Sequence, residues 1–308
     1  MASLPQTQDG AARMMSPGLL AGFAAYTIWG FFPVYFKATD MVGALEIVAH
    51  RVVWSLPFAL AILALRGQLS ETWSAFRDWR TLRWLVASGV LIALNWGVYI
   101  WAIQVDRIFE AALGYYINPL IYVLVGVAVF GERLGRAQLA AVVLACIGVA
   151  WLTMAGGSFP WVALVLAGSF TAYGVIRKQV EVGAMPGLFI EVLVVIVPAA
   201  LYLGWVVAEG RSPFLRGDAV LDGLLLFAGP LTVIPLFFFA FAARRVRLST
   251  LGFLQFLGPT LQFFCGLYYG EDFTPAHAVC FAFIWTAAAV FVWGAWRAHR
   301  ALPAVREA

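Results

Sequence analysis

The sequence predicts an all-α polytopic membrane protein of ten transmembrane helices, arranged as two inverted five-helix repeats. Three observations lead there. The 308 residues are 63% hydrophobic and only 12% charged, with a mean hydropathy of +0.89. A water-soluble core of that size cannot hide so much apolar surface, so the surrounding solvent is lipid. Apolar runs of membrane-crossing length recur with basic residues alternating between them. Finally, one half of the chain can be laid over the other at a single offset.

Ten spans lie near 17–37, 44–65, 82–104, 109–130, 137–155, 159–176, 185–207, 220–242, 248–269 and 275–296. Residues 1–16 form a short polar tail. The first span, Pro17 to Lys37, is aromatic-rich and lacks a following small-x-small cleavage pattern, so it is expected to be a retained helix and not a signal peptide. The second carries Glu46, His50 and Arg51 inside an oily stretch. Between the second and third, 66–81 ("RGQLSETWSAFRDWRT") is amphipathic and basic and is expected to lie along the membrane surface. The sixth is the shortest span. Residues 297–308 form a second tail.

An even number of spans puts both termini on one side. With that side as the cytoplasm, fifteen of the twenty Lys and Arg residues fall inside: Arg13; Arg66, Arg77, Arg80 and Arg83; Arg133 and Arg136; Arg177 and Lys178; Arg244, Arg245 and Arg247; Arg297, Arg300 and Arg306. Four fall outside (Lys37, Arg107, Arg211, Arg216), and Arg51 lies within a span. The asymmetry predicts cytoplasmic termini. It also excludes a nucleic-acid function, because the net charge of +4 comes from short clusters between apolar segments and forms no basic face.

The repeat appears at an offset of about 140 residues. "ASGVLIAL" (87–94) matches "FAGPLTVI" (227–234), pairing Gly89 with Gly229 and Leu91 with Leu231. Lys37 pairs with Lys178, His50 with Glu191 and Pro57 with Pro198. With small gaps, Leu113-Gly114, Pro119 and Gly131-Glu132 match Leu251-Gly252, Pro259 and Gly270-Glu271. Five spans per copy is odd, so the second copy (156–296) sits upside down relative to the first (17–155). Inverted repeats of this kind characterise secondary transporters, whose site lies near midplane between the halves. Pro33, Pro119, Pro198, Pro230, Pro235 and Pro259 are expected to interrupt spans and free carbonyls there.

The chain resembles the RarD (chloramphenicol-sensitivity) family of bacterial membrane proteins, within the EamA-type drug/metabolite transporters. The resemblance covers about residues 17–296 and rests on "AAYTIWGFFPVYFK", "EIVAHRVVWS", "NWGVYIWAI", "ALGYYINPL", "YGVIRK" and "RLSTLGFLQFLGPT". It implies the ten-helix drug/metabolite transporter fold with a central cavity, an inner-membrane permease, and a small-molecule substrate that the family leaves undefined.

An ionisable residue inside a span is a functional candidate by default. The eleven Leu, Ile, Val and Phe residues of the second span contribute ~3–7 kcal/mol towards insertion, and Arg51 near midplane removes ~2.5–3.5 kcal/mol. Three roles stay open for the trio. Arg51 pairs with a carboxylate or helix carbonyls and fixes packing; or Arg51 or His50 touches a polar or anionic substrate; or Glu46 with His50, or Glu191, exchanges a proton during transport. Glu46 and His50, four apart, share a face, whereas Arg51 is turned ~100° from His50.

Further candidates for the cavity wall are Tyr26, Trp29, Trp54, Asn95, Tyr99, Tyr115, Asn118, Gln255 and Gln262. Asn95 with Tyr99, and Gln255 with Gln262, recur on single helix faces; such amides also bridge helices without touching a ligand. Glu132 and Glu271, just past span ends, suit solvation or helix capping. Cys146, Cys265 and Cys280 are odd in number, sit in apolar runs, and are expected to be small core residues.

No nucleophile or metal set of an enzyme is legible: there is no H-E-x-x-H, G-x-S-x-G or Walker loop, and His50, His277 and His299 are scattered. No cofactor is expected. With no nucleotide motif, an ion or substrate gradient would supply the driving force. The expectation is therefore a permease working by alternating access, with efflux favoured by the resemblance. The runner-up is a channel or sensor built on the same scaffold.

Overall fold

The computed structural model describes residues 16–131, 135–156, 159–246 and 254–301, and among these it is helical with no strand. The first expected span is two helices, α1 (Pro17–Gly30) and α2 (Phe32–Ala38). Ser16 opens α1 by accepting the Leu19 N–H at 3.2 Å. The break falls at Phe31, and Pro33 occupies the first turn of α2, where its missing N–H costs nothing. Helix α3 (Ala44–Leu65) follows and ends at Gly67, whose φ of +65° makes the turn.

Helix α4 (Leu69–Arg77) is the amphipathic connection. It buries Thr72 and Ala75 and leaves Trp73 56% exposed with its ring stacked beside Phe76. Asp78 then caps α5 (Trp79–Gln104), accepting from the N–H groups of Arg80 and Thr81; the Thr81 hydroxyl, which also donates to it, and then those backbone bonds hold its carboxyl below the usual range. The remaining helices are α6 (Ile108–Phe130), α7 (Arg136–Gly156), α8 (Trp161–Gln179), α9 (Ala184–Ala208), α10 (Ala219–Ala243), α11 (Leu257–Tyr268) and α12 (Pro275–Ala301).

Among the described residues, eight helical stretches are long and apolar enough to cross a membrane, α1 and α2 counting as one, against ten expected spans. The two outside that set are α8 and α11. Helix α8 combines Ser169, Thr171, Arg177 and Lys178 in 19 residues, which dilutes its hydropathy. Helix α11 is 12 residues long, and residues 248–253 of its expected span lie outside the described ones.

Two other expectations need correction. Of the prolines expected to interrupt spans, Pro33 stands at a break and Pro259 just after one, the turn at 255–256. Pro119, Pro198, Pro230 and Pro235 lie inside continuous helices, and Pro259 falls in the first turn of α11. A buried helix tolerates such prolines where neighbouring helices satisfy the freed groups. Cys265 and Cys280 are buried free thiols, but Cys146 is exposed on the outer side of α7. A helix immersed in lipid faces apolar surroundings on both sides, so apolar context alone cannot separate core from perimeter.

Helices from the two halves interleave. Helix α3 packs on α9 and α10, α5 on α8 and α9, α1 on α10 and α11, and α6 on α8 and α11, while α7 pairs with α12. The closest approaches use glycine. A Cβ on Gly229 of α10 would stand 2.2 Å from the Trp54 carbonyl oxygen, and one on Gly89 of α5 would stand 3.1 Å from that of Glu191. These crossings let backbones touch, as small residues do throughout membrane bundles.

Candidate functional site

Inside the interleaved bundle lies a cavity of about 560 Å³. Arg51 on α3 supplies its charge. It is only 4% exposed, because the helical turn that points Glu46 and His50 elsewhere points Arg51 inward. Its Nε donates to Thr232 Oγ1 on α10 at 3.0 Å, and that hydroxyl donates onward to the Ala228 carbonyl. The guanidinium centre sits 4.2 Å from the Trp96 ring centroid, and 5.6 and 5.7 Å from those of Phe32 and Phe36. Ring faces thus stabilise the buried cation, each by about 0.5–2 kcal/mol. Among the described residues no carboxylate pairs with Arg51, and its Nη1 has no hydrogen-bond partner.

The polar residues around it divide into tied and open groups. Asn95 is fully engaged: its amide donates to the Leu166 carbonyl and Ser169 Oγ, and its carbonyl accepts from Tyr115 OH. Asn118 accepts from Thr171 Oγ1 at 2.8 Å. Both bridge neighbouring helices while lining the cavity. By contrast, Tyr99 OH and Gln262 Oε1 are buried without partners, although Gln262 Nε2 reaches the Trp29 carbonyl. Tyr26 and Trp29 form an edge-on pair at 5.3 Å beside Phe239, and Gln255 lies on the same wall.

A second arginine, Arg177 of α8, lines the cavity and is neutralised. Its Nε lies 3.6 Å from Glu191 Oε1 on α9, and its Nη2 donates to the Gly183 carbonyl. Glu191 is 1% exposed and also accepts from Ser88 Oγ at 2.6 Å and Tyr173 OH at 3.3 Å. The carboxylate is therefore buried with three partners, which a buried charge requires.

The other half of the conspicuous trio lies elsewhere. His50 and Trp54 do not line the cavity. Trp54 Nε1 donates to His50 Nδ1 at 2.9 Å, and His50 packs edge-on against Phe214 in the α9–α10 connection. Glu46 accepts from Ser212 Oγ of that connection, with His50 Nε2 3.9 Å away. So Tyr26, Trp29, Arg51, Asn95, Tyr99, Tyr115, Asn118, Gln255 and Gln262 share one cavity, Glu191 stands behind it, and Glu46, His50 and Trp54 form a separate network.

Sequence reasoning did not single out Arg177, Tyr173, Ser88 or Thr232. Arg177 sits beside Lys178 at a span end, where a basic residue is explained by orientation alone. Its one signal was Glu191, a buried carboxylate that needed a cation. Glu271 takes the capping role: its carboxylate accepts from the N–H groups of Ile108 (2.6 Å) and Phe109 (3.1 Å) at the start of α6. Glu132 lies outside the described residues.

Membrane-length helices around an aromatic cavity with a buried cation define a polytopic membrane protein with an internal cavity. Residues 16–154 match the EamA-like transporter family. The chain is 43% identical over 295 residues to Protein RarD of Streptomyces exfoliatus, covering 94% of this chain and 93% of that one. It is 43% identical over 275 residues to an uncharacterized transporter of Vibrio cholerae, covering 89% and 91%. A crystal structure at 21% identity superposes with a TM-score of 0.59 over 89% of this chain and 96% of that one, which speaks for the fold. The chain belongs to the RarD family of the EamA superfamily, and is a multi-pass bacterial membrane protein of a transporter family.

Proposed function

We propose that this chain is an inner-membrane secondary permease that moves a small molecule by alternating access. It would use ten helices in two inverted repeats, 17–155 and 156–296, with both termini cytoplasmic. The observation that carries the proposal is the cavity, whose wall draws on α1, α2, α3, α5 and α6 from one half and on α8, α9, α10 and α11 from the other.

The packing supports the repeat. Taking α1–α2 as the first span and exchanging each span with the one five places on turns α3–α10 into α5–α9, α1–α10 into α5–α8, and α6–α8 into α1–α11. Each of these pairs is a packed pair. The matched glycines also do matching work, Gly89 at the α5–α9 crossing and Gly229 at the α3–α10 crossing. Two halves that interlock in this way can rock about a shared site.

Efflux is the favoured direction, through the family resemblance. For proton coupling, Glu191 is the carboxylate tied to the cavity through Arg177 and Tyr173, whereas Glu46 and His50 would act through the α9–α10 connection. The test is transport in proteoliposomes under an imposed pH gradient. Coupling predicts gradient-driven accumulation that Glu191→Gln, Glu46→Gln or His50→Ala abolishes; full accumulation in all three variants would overturn it. A channel would instead give unsaturable flux without exchange.

A further inference from the structure

We propose that the cavity is built for a small monovalent organic anion bearing a flat ring, with its carboxylate set against Arg51; this rests on the permease reading of the same cavity. The first observation is charge. Two cations line the wall, Arg51 and Arg177. Glu191 neutralises Arg177 at 3.6 Å, and among the described residues no carboxylate answers Arg51. The site therefore carries one buried positive charge in excess. Removing such a charge from water without an ionic partner is costly, and a bound anion removes the cost. One unmatched cation calls for one negative charge on the ligand.

The second observation is donor geometry. The Arg51 guanidinium is held from one side by Thr232 at Nε, while Nη1 has no partner. On the same wall Tyr99 presents a hydroxyl with no partner, its ring set edge-on to Phe36 and Tyr115 at 5.9 and 5.5 Å. A guanidinium with spare donors and a nearby hydroxyl suit a carboxylate, which accepts through both oxygens. Of the amides beside them, Asn95 is occupied at both ends by protein partners, and Asn118 Oδ1 accepts from Thr171.

The third observation is the rest of the wall. Trp96, Trp29, Tyr115, Phe170 and Phe239 enclose about 560 Å³, a volume in the usual range for a ligand with one or two rings. Trp96 already lies 4.2 Å from the guanidinium, so a ring attached to the carboxylate would meet aromatic surface on leaving the charge. A cationic ligand would face Arg51 unscreened.

The experiment is calorimetric titration of the full-length protein in phosphatidylcholine nanodiscs with benzoate, benzamide, benzylamine and acetate at constant ionic strength. Benzoate should bind at least tenfold more tightly than benzamide, benzylamine or acetate. Arg51→Gln should remove the preference of benzoate over benzamide, and Arg51→Lys should keep part of it. The wild-type series decides the matter even if Arg51→Gln fails to fold. Equal or tighter binding of benzamide or benzylamine, absence of benzoate binding, or undiminished benzoate binding by folded Arg51→Gln overturns the proposal. Counterflow separates it from the permease reading. Benzoate binding without trans-stimulated flux would leave the anion site standing and overturn transport, whereas trans-stimulated flux of a neutral or cationic solute without benzoate preference would do the reverse.

Discussion

Arg51 and Thr232 meet across the halves of the chain: Nε on α3 donates to Oγ1 on α10 at 3.0 Å, on the wall of the cavity. The bond fixes the guanidinium in its aromatic surround and joins two helices that pack closely along their length. Thr232→Val keeps the shape and removes the acceptor. It should cost about 1.5–3 kcal/mol, the range for a hydrogen bond to a charged group. Thermal unfolding in detergent should show a lowered midpoint for Thr232→Val and near wild-type behaviour for Thr232→Ser.

Gly229 and Gly89 differ in how much room they leave. A Cβ at Gly229 meets the Trp54 carbonyl oxygen at 2.2 Å, an impossible contact with backbone, while one at Gly89 meets the Glu191 oxygen at 3.1 Å. Overpacking typically costs about 1–3 kcal/mol and more where backbone must move. Gly229→Ala should therefore lose monodisperse protein on size exclusion, and Gly89→Ala should retain most of it.

Arg177 and Glu191 form the buried pair behind the cavity. Arg177→Met strands the carboxylate and should destabilise by about 3–5 kcal/mol. Adding Glu191→Gln removes the stranded charge and should restore much of that loss, because Ser88 and Tyr173 can still bond a neutral amide. A double-mutant cycle on unfolding midpoints measures the coupling.

Glu271 gives the fold a pH dependence. Its carboxyl caps α6 from the α11–α12 connection, and burial pushes its pKa from 4.5 up to about 8, against the two backbone N–H bonds that favour the charged form. The folded chain thus holds a proton that the unfolded chain releases above pH 4.5. The resulting stabilisation is full below about pH 4.5, declines as pH rises, and is lost once pH passes about 8. Unfolding midpoints of wild type and Glu271→Gln should therefore diverge across that window, with the wild type losing ground as pH rises. Parallel curves would contradict the assignment.

Most of the helices were legible because their apolar runs had the length of the bilayer and the connections between them were short. Helix α4 was legible because the connection that holds it, 66–81, is amphipathic and basic. Two things hid the rest. Residues such as Cys146 and the span-interior prolines sit in apolar surroundings whichever way they face, so composition could not say which were buried or whether a helix broke. The site depended on rotation about helix axes. Arg51 stood out by its cost, but only tertiary packing separates it from His50, one residue away and turned towards Phe214. Arg177 was hidden for a different reason: a basic residue at a span end already has an explanation, and its pairing with Glu191 is made by two helices meeting in space.

The central claim is that the cavity between the halves is the path of a carrier. Its most direct test is counterflow in proteoliposomes, using a labelled solute chosen from a metabolite and drug panel by thermal shift. Wild type is compared with Leu236→Trp, which places a large ring on the cavity wall. A carrier predicts saturable flux, stimulated by unlabelled solute on the far side and lost in Leu236→Trp while that variant stays folded. Unsaturable flux without trans-stimulation, or full flux through the filled cavity, would contradict it.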